Sequence, residues 1–168
     1  MKKLNKKGFT LIELLAVIVI MGILMLVAIP AVSKYIAQSR DNTYASTLKS
    51  YGKAVQTAYA AGELGCSSEK EGTYYVGLDA IKENLLDSGG GSPYPGNNEI
   101  TGYVTISVTN SKPTFTLTAT TLVKGGKYKA IKNRKLSDVT RGNIEPANNP
   151  VANKTSTNCT VDTSGNLD

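Results

Sequence analysis

Residues 6–33 read KKGFTLIELLAVIVIMGILMLVAIPAVS, and this stretch decides the fold. Leu14 to Ile29 holds 16 residues without a charge, and the apolar character continues past Pro30 through Ala31 and Val32. At the rise of an α-helix those residues span roughly 24 Å, and the run to Val32 roughly 28 Å, about the hydrocarbon thickness of a bilayer. Lys2, Lys3, Lys6 and Lys7 precede the run, whereas Lys34 follows it and Arg40 is offset by Asp41. Positive charge marks the cytoplasmic flank, so residues 1–8 are expected inside and everything after Ser33 outside.

Other chemistries fit less well. A secretory signal would have a shorter apolar core and a small-residue cleavage site after it, and no such site follows this run. A soluble-core helix apolar on every side would need a much larger protein around it. A plain membrane anchor accounts for the run but not for Glu13, because a carboxylate in a membrane segment is costly and normally has a partner. As a lone membrane monomer the chain would hold Glu13 unpaired. Gly22 and Pro30 weaken helix locally, and a membrane span tolerates them where neighbours satisfy the freed backbone groups. They are expected to mark where the helix stretches or bends when packed into a fibre.

Lys6-Lys7-Gly8-Phe9-Thr10-Leu11-Ile12-Glu13 resembles the processing site of type IV prepilins, shared with the pseudopilins of type II secretion and competence systems. The resemblance covers about the first 32 residues. It implies that a prepilin peptidase removes the basic leader 1–8 by cutting between Gly8 and Phe9, and that the same enzyme methylates the new amino terminus of Phe9. It implies that Glu13 is an assembly residue whose carboxylate meets the N-terminal amine of a neighbouring subunit, and that Pro30 is a helix-kinking proline. The implied partners are further copies of the chain, other pilins, the peptidase, the pilus assembly machinery and, before assembly, the membrane. The implied location is the cell membrane for the precursor and an extracellular pilus for the product.

The charge distribution agrees with an export leader. The chain carries 19 Lys and Arg against 13 Asp and Glu, but four of the lysines precede Gly8, so from Phe9 onward 15 basic residues face 13 acidic ones. A nucleic-acid binder would concentrate basic charge on its folded part. Lys127, Lys129 and Lys132 read as a solvated strand edge. Nucleic acid or glycan binding stays open, but nothing in the residues indicates it.

A helical pattern continues beyond the apolar run. Tyr44, Leu48, Tyr51, Val55 and Tyr59 recur at steps of four, three, four and four, the mark of one buried stripe on a helix. Lys34, Arg40, Asp41, Lys49, Lys53 and Gln56 lie mostly off it. Gly62 is a natural helix stop. The expectation is a hydrophobic helical half over 9–33 and an amphipathic half over 34–62, together about 80 Å if unbroken.

The remainder, within an outside head of 34–168, is expected to hold a connecting loop over 63–99, an antiparallel sheet over about 101–132 and a polar tail over 137–168. The loop carries a short helix from Asp79 to Leu86, ended by the glycines from Gly89. Tyr103–Thr109 alternates with Val104, Ile106 and Val108 on one face, and Thr114–Val123 alternates with Phe115, Leu117 and Ala119 on one face. Asn110-Ser111-Lys112-Pro113 is expected to turn between them, and Gly125-Gly126 to turn into Lys127–Ile131, where Tyr128, Ala130 and Ile131 leave the facing ambiguous. The stripe of the long helix is the obvious cover for the apolar face. The fold class is α+β, a long N-terminal helix packed on a small antiparallel sheet, pilin-like.

Cys66 and Cys159 are the two cysteines. In an exported chain such a pair suggests one disulfide rather than a metal site, with two free thiols as the open alternative. The chain has no His, the usual acid/base residue and commonest metal ligand, and its acids are scattered. No cofactor, metal or catalytic role is expected. The Thr-rich outer sheet face reads as strand propensity on a solvated surface, and Asn153-Lys154-Thr155 and Asn158-Cys159-Thr160 match the glycosylation sequon. The function implied is structural, as a pilus subunit. The alternatives are a minor pilin or pseudopilin of a type II secretion or competence system, and a membrane-anchored monomeric adhesin.

Overall fold

A computed structural model describes residues 8–66, 71–86, 90–96, 99–157 and Cys159. The leader lysines and the last residues of the polar tail lie outside them, as do Gly89, Asn158 and Thr160. The chain divides into two compact units, Met1–Ser39 and Arg40–Asp168.

In the first unit the described residues from Leu11 are helical, the beginning of α1 (Leu11–Ala61), which runs through both Gly22 and Pro30. Every large apolar side chain from Leu11 to Tyr35 is more than half exposed.

The second unit takes the remaining turns of α1 and packs them on a five-stranded antiparallel sheet. The strands are β1 (Gly72–Gly77), β2 (Ile100–Thr109), β3 (Lys112–Val123), β4 (Lys127–Lys135) and β5 (Glu145–Ala147), with neighbours in chain order. A short helix, α2 (Leu78–Asn84), follows β1. The architecture is the expected α+β one. Tyr44, Leu48, Tyr51 and Val55 of α1 are buried in one cluster with Val76, Val104, Ile106, Leu117, Ala119 and Ile131 of the sheet. Full burial of each such aliphatic side chain contributes roughly 1.5–3 kcal/mol. Tyr59, at the end of the stripe, is half-buried with its ring edge-on to Phe115 at 5.7 Å.

Helix α1 stops as its sequence suggests. Gly62 takes φ +77°, its N–H donates to the Tyr59 carbonyl at 3.2 Å, and the Glu63 N–H donates to the Ala58 carbonyl at 3.0 Å. This paired closure satisfies carbonyls that a helix end would otherwise leave open.

Three details correct the expectations for the head. Strand β1 lies inside the segment read as a connecting loop; Tyr74 and Val76 point into the core and pair with Ile106 and Val104. The β2–β3 turn has two residues, Asn110 and Ser111, at φ 51° and 57°, so Lys112 and Pro113 belong to β3. Positive φ at both turn residues matches the twist of the flanking strands. Pro113 is tolerated because β4 pairs with β3 only as far as Thr116, so no neighbouring strand needs its missing N–H.

The third detail settles the facing of β4. Ala119 pairs with Ile131 and Leu117 with Arg134, which puts one extra residue in β4 between the two pairs. Asn133 takes φ 45° there and donates its N–H to Thr118 Oγ1 at 3.0 Å, a side chain filling the gap in the ladder. Ile131 faces the helix, while Ala130 pairs with Thr120 on the opposite face, and both strand faces are buried at this point.

Candidate functional site

The N-terminal candidates sit at the start of α1. Phe9 is 92% exposed and Gly8 has open space around its Cα. Thr10 is the helix cap: its hydroxyl accepts the Glu13 N–H at 3.3 Å, while its own N–H and hydroxyl both lie 2.8 Å from Glu13 Oε2. This reciprocal arrangement satisfies two backbone donors that a helix start leaves free. The Glu13 carboxylate is thus hydrogen-bonded within its own helix cap, without a cation as partner among the described residues. Thr-x-x-Glu is the spacing of a capping box, so this contact is legible in the sequence. The box uses Oε2 of the carboxylate.

Beyond Glu13, α1 is long and apolar enough, by length and composition, to cross a membrane. Among the described residues of its own unit nothing covers the large side chains of this run, from Leu14 to Val32. Gly22 leaves open space beside the backbone, and Pro30 lies inside the helix.

In the head, Cys66 and Cys159 are joined by a disulfide, with Cα atoms 4.4 Å apart across a sequence separation of 93. The bond fastens the chain just after α1 to the polar tail. Beyond β5 the described tail is loop, as its composition suggests, and it is held in place by hydrogen bonds to the sheet. Ser156 donates its N–H to the Tyr75 carbonyl at 2.9 Å, and the Tyr75 N–H donates to Ser156 Oγ at 3.0 Å. The Gly77 N–H donates to Thr155 Oγ1, the Gly102 N–H to Asn153 Oδ1, and the Val151 N–H to Thr120 Oγ1, all within 2.9 Å. Lys154 lies 3.5 Å above the Tyr75 ring, which meets Tyr103 edge-on at 5.3 Å. The tail thus lines the free edge of β1, and β5 caps the other side of the sheet. Both are common devices for protecting sheet edges. Asn153, one of the sequon residues, spends its side-chain carbonyl on this contact.

A second cluster ties α1 to β4. Tyr94 donates its hydroxyl to Asp41 Oδ1 at 2.5 Å, and the Lys129 ammonium pairs with the same oxygen. Lys129 also lies 5.1 Å from the centre of the Tyr94 ring. Lys129 is therefore an ion-pair partner rather than part of a solvated edge. Burial, then the hydrogen bond to Asp41, push the Tyr94 hydroxyl well above its ordinary range. Burial alone raises Tyr44, whose hydroxyl has no partner among the described residues and whose ring meets Tyr94 edge-on at 5.8 Å. No group of three or more potential metal ligands occurs among the described residues.

Comparison with known proteins places these features together. Residues 3–29 match the family model described as the prokaryotic N-terminal methylation motif. The type IV major alpha-pilin of Moraxella bovis is 38% identical over 104 residues, covering 58% of this chain and 61% of that protein. The chain thus spans less than two thirds of that relative's length. A fimbrial protein of Pseudomonas aeruginosa is 31% identical over 109 residues, covering 64% of this chain and 70% of its own. The competence protein ComGC of Bacillus subtilis is 34% identical over 84 residues, covering 48% of this chain and 85% of its own. No solved structure matches the chain significantly. With its methylation motif, its exposed apolar helix and its likeness to most of a fimbrial protein's length, the chain belongs to the type IV pilin family.

Proposed function

We propose that this chain is a structural filament subunit, made as a membrane precursor and polymerised through the apolar half of α1. The observation that carries the proposal is the exposed run from Leu14 to Val32, more apolar surface than water tolerates. A bilayer covers that surface before assembly, and the same helices of neighbouring subunits cover it in a fibre.

Processing fits this sequence of events. A prepilin peptidase would cut between Gly8 and Phe9 on the cytoplasmic side and methylate Phe9. Removing the leader would leave an amine on Phe9, the residue before Thr10, whose own N–H lies 2.8 Å from Glu13 Oε2. In the filament, Glu13 would exchange or share its capping role with the amine of a neighbouring subunit. A buried charge with a partner costs far less than one without. Gly22 and Pro30 would let the helix adjust its length and direction during this packing. The partners are other copies of the chain, further pilins and the assembly machinery. The role is mechanical, with the head outside the cell.

The test is direct. Surface appendages sheared from cells and viewed by electron microscopy should be fibres containing this chain, absent when its gene is deleted. A chain confined to membranes, with no fibre depending on it, would refute the proposal. The likeness to ComGC favours a second reading, a subunit of a shorter pilus-like structure. Abundance separates the two, because a major subunit dominates the sheared fraction.

A further inference from the structure

We infer that the head carries two unlike charged clefts that dock one subunit onto the next, the partner of each cleft being a second copy of this chain. The inference rests on the filament reading and adds what sets the register between heads.

The basic cleft lies along α1 where residues 136–141 cross it. Two adjoining depressions share Lys49 as a common wall: one of about 250 Å³ also holds Arg141, and one of about 320 Å³ also holds Lys53. Lys49 and Lys53 are one helical turn apart, and the Leu136 side chain packs against the bare backbone of Gly52 beside them. The acidic cleft lies around α2, on the β1–β2 side of the sheet. About 390 Å³ in volume, it is lined by three acids, Asp79, Glu83 and Glu99, against one base, Lys82. Among the described residues the ion pairs are Lys129 with Asp41 and Arg134 with Glu145. Lys49, Lys53, Arg141, Asp79 and Glu83 are in neither.

The two clefts belong to different parts of one head, so one chain cannot close them on itself. Unlike patches on a single chain form head-to-tail contacts, which propagate into an open helical array unless the rotation happens to close a ring. Charge suits this task. The apolar helices supply cohesion but little discrimination between neighbouring axial positions, whereas opposed charges fix register and reject misaligned partners.

The experiment uses the full chain in cells, with charge reversals on each side and both together. Lys49→Glu with Lys53→Glu should lower sheared-fibre yield on the order of tenfold at equal levels of processed membrane subunit, and Asp79→Lys with Glu83→Lys should do the same. The chain carrying all four changes restores complementarity and should recover fibres to within about threefold of the unmodified protein. Protease resistance of the head and an intact Cys66–Cys159 bond serve as the folding check. Lys49→Gln with Lys53→Gln, milder for folding, should give a smaller loss in the same direction. Full yield from either reversal, or no recovery in the fourfold variant with its head folded, overturns the docking proposal while leaving the filament reading intact. Absence of fibres from the unmodified chain overturns the filament reading, and this inference with it.

Discussion

Ser156 and Tyr75 exchange two hydrogen bonds, 2.9 and 3.0 Å long, so the polar tail lies along the outer edge of β1. The Cys66–Cys159 bond anchors the far end of that contact. A sheet edge with open N–H and C=O groups invites pairing with other chains, and here a tail poor in apolar residues closes it.

Breaking the bond should therefore loosen the head without erasing it. Chain-entropy arguments put the contribution of a loop this long near 4–5 kcal/mol, with measured values often smaller. Cys66→Ser with Cys159→Ser should lower the denaturation midpoint of the head and raise hydrogen exchange at the Tyr75 and Gly77 amides. An unchanged midpoint with both amides still protected would mean that the tail holds itself in place.

Gly52 and Leu136 test the crossing of α1 by the segment after β4. A Cβ built on Gly52 collides with the Leu136 side chain. Gly52→Ala should cost about 1–3 kcal/mol of head stability despite the better helix propensity of alanine, since overpacking outweighs it. Gly52→Ala combined with Leu136→Ala should recover part of the loss. Chemical denaturation of the two variants beside the unmodified head decides this, and a stabilising single Gly52→Ala would contradict the packing.

The helical stripe is legible in the sequence because its spacing survives any choice of partner: Tyr44, Leu48, Tyr51 and Val55 need only one apolar surface to face. The β2–β3 hairpin is legible for a similar reason, through alternation on both sides of Asn110 and Ser111. Strand β1 carries a usable signal too, a β-branched and aromatic run between Gly72 and Gly77, masked by the polar segments around it. The tail is different in kind. Nothing local in residues 151–156 marks them as ordered; their conformation comes from donors on Tyr75, Gly77 and Gly102, distant in the chain, together with Cys66. At the candidate assembly site, the Gly8–Glu13 pattern is plain, and Thr10 as the partner of Glu13 follows from their spacing. The Asp41–Tyr94–Lys129 cluster joins three segments and has no sequence signature.

Three tyrosines of the head set it an alkaline limit. Burial raises Tyr44, Tyr51 and Tyr94 in the folded state above their ordinary value. Their folded pKa exceeds the unfolded one, so their contribution is complete below about pH 10 and is lost as pH rises beyond it. Stability should fall steeply above pH 10, and less steeply in Tyr44→Phe. At neutral pH that same substitution should be neutral or stabilising by up to about 1 kcal/mol, because it removes a buried hydroxyl without a partner. Tyr94→Phe, which takes a donor from Asp41, should destabilise by about 1–3 kcal/mol. Urea titrations at pH 7 and pH 10.5 give both comparisons.

Replacing Glu13 separates a filament subunit from a plain anchor. Glu13→Val leaves the Thr10 N–H without its cap, yet the apolar run is unchanged, so membrane insertion and cleavage after Gly8 should persist. Fibre yield in a shear assay at equal membrane levels should fall to few or none. Glu13→Gln, which can still accept from the Thr10 N–H but carries no charge, should resemble Glu13→Val if the carboxylate serves assembly, and the unmodified chain if it serves only the cap.

On the filament reading, the apolar half of α1, freed of its leader, is what the chain contributes to a fibre. The intact mass of this chain recovered from sheared surface fibres tests this. The expected result is a subunit beginning at Phe9 and carrying one added methyl group, with the Cys66–Cys159 bond formed. A fibre-borne chain that still begins at Met1, or one cut beyond Val32 and so lacking the apolar helix, would contradict it.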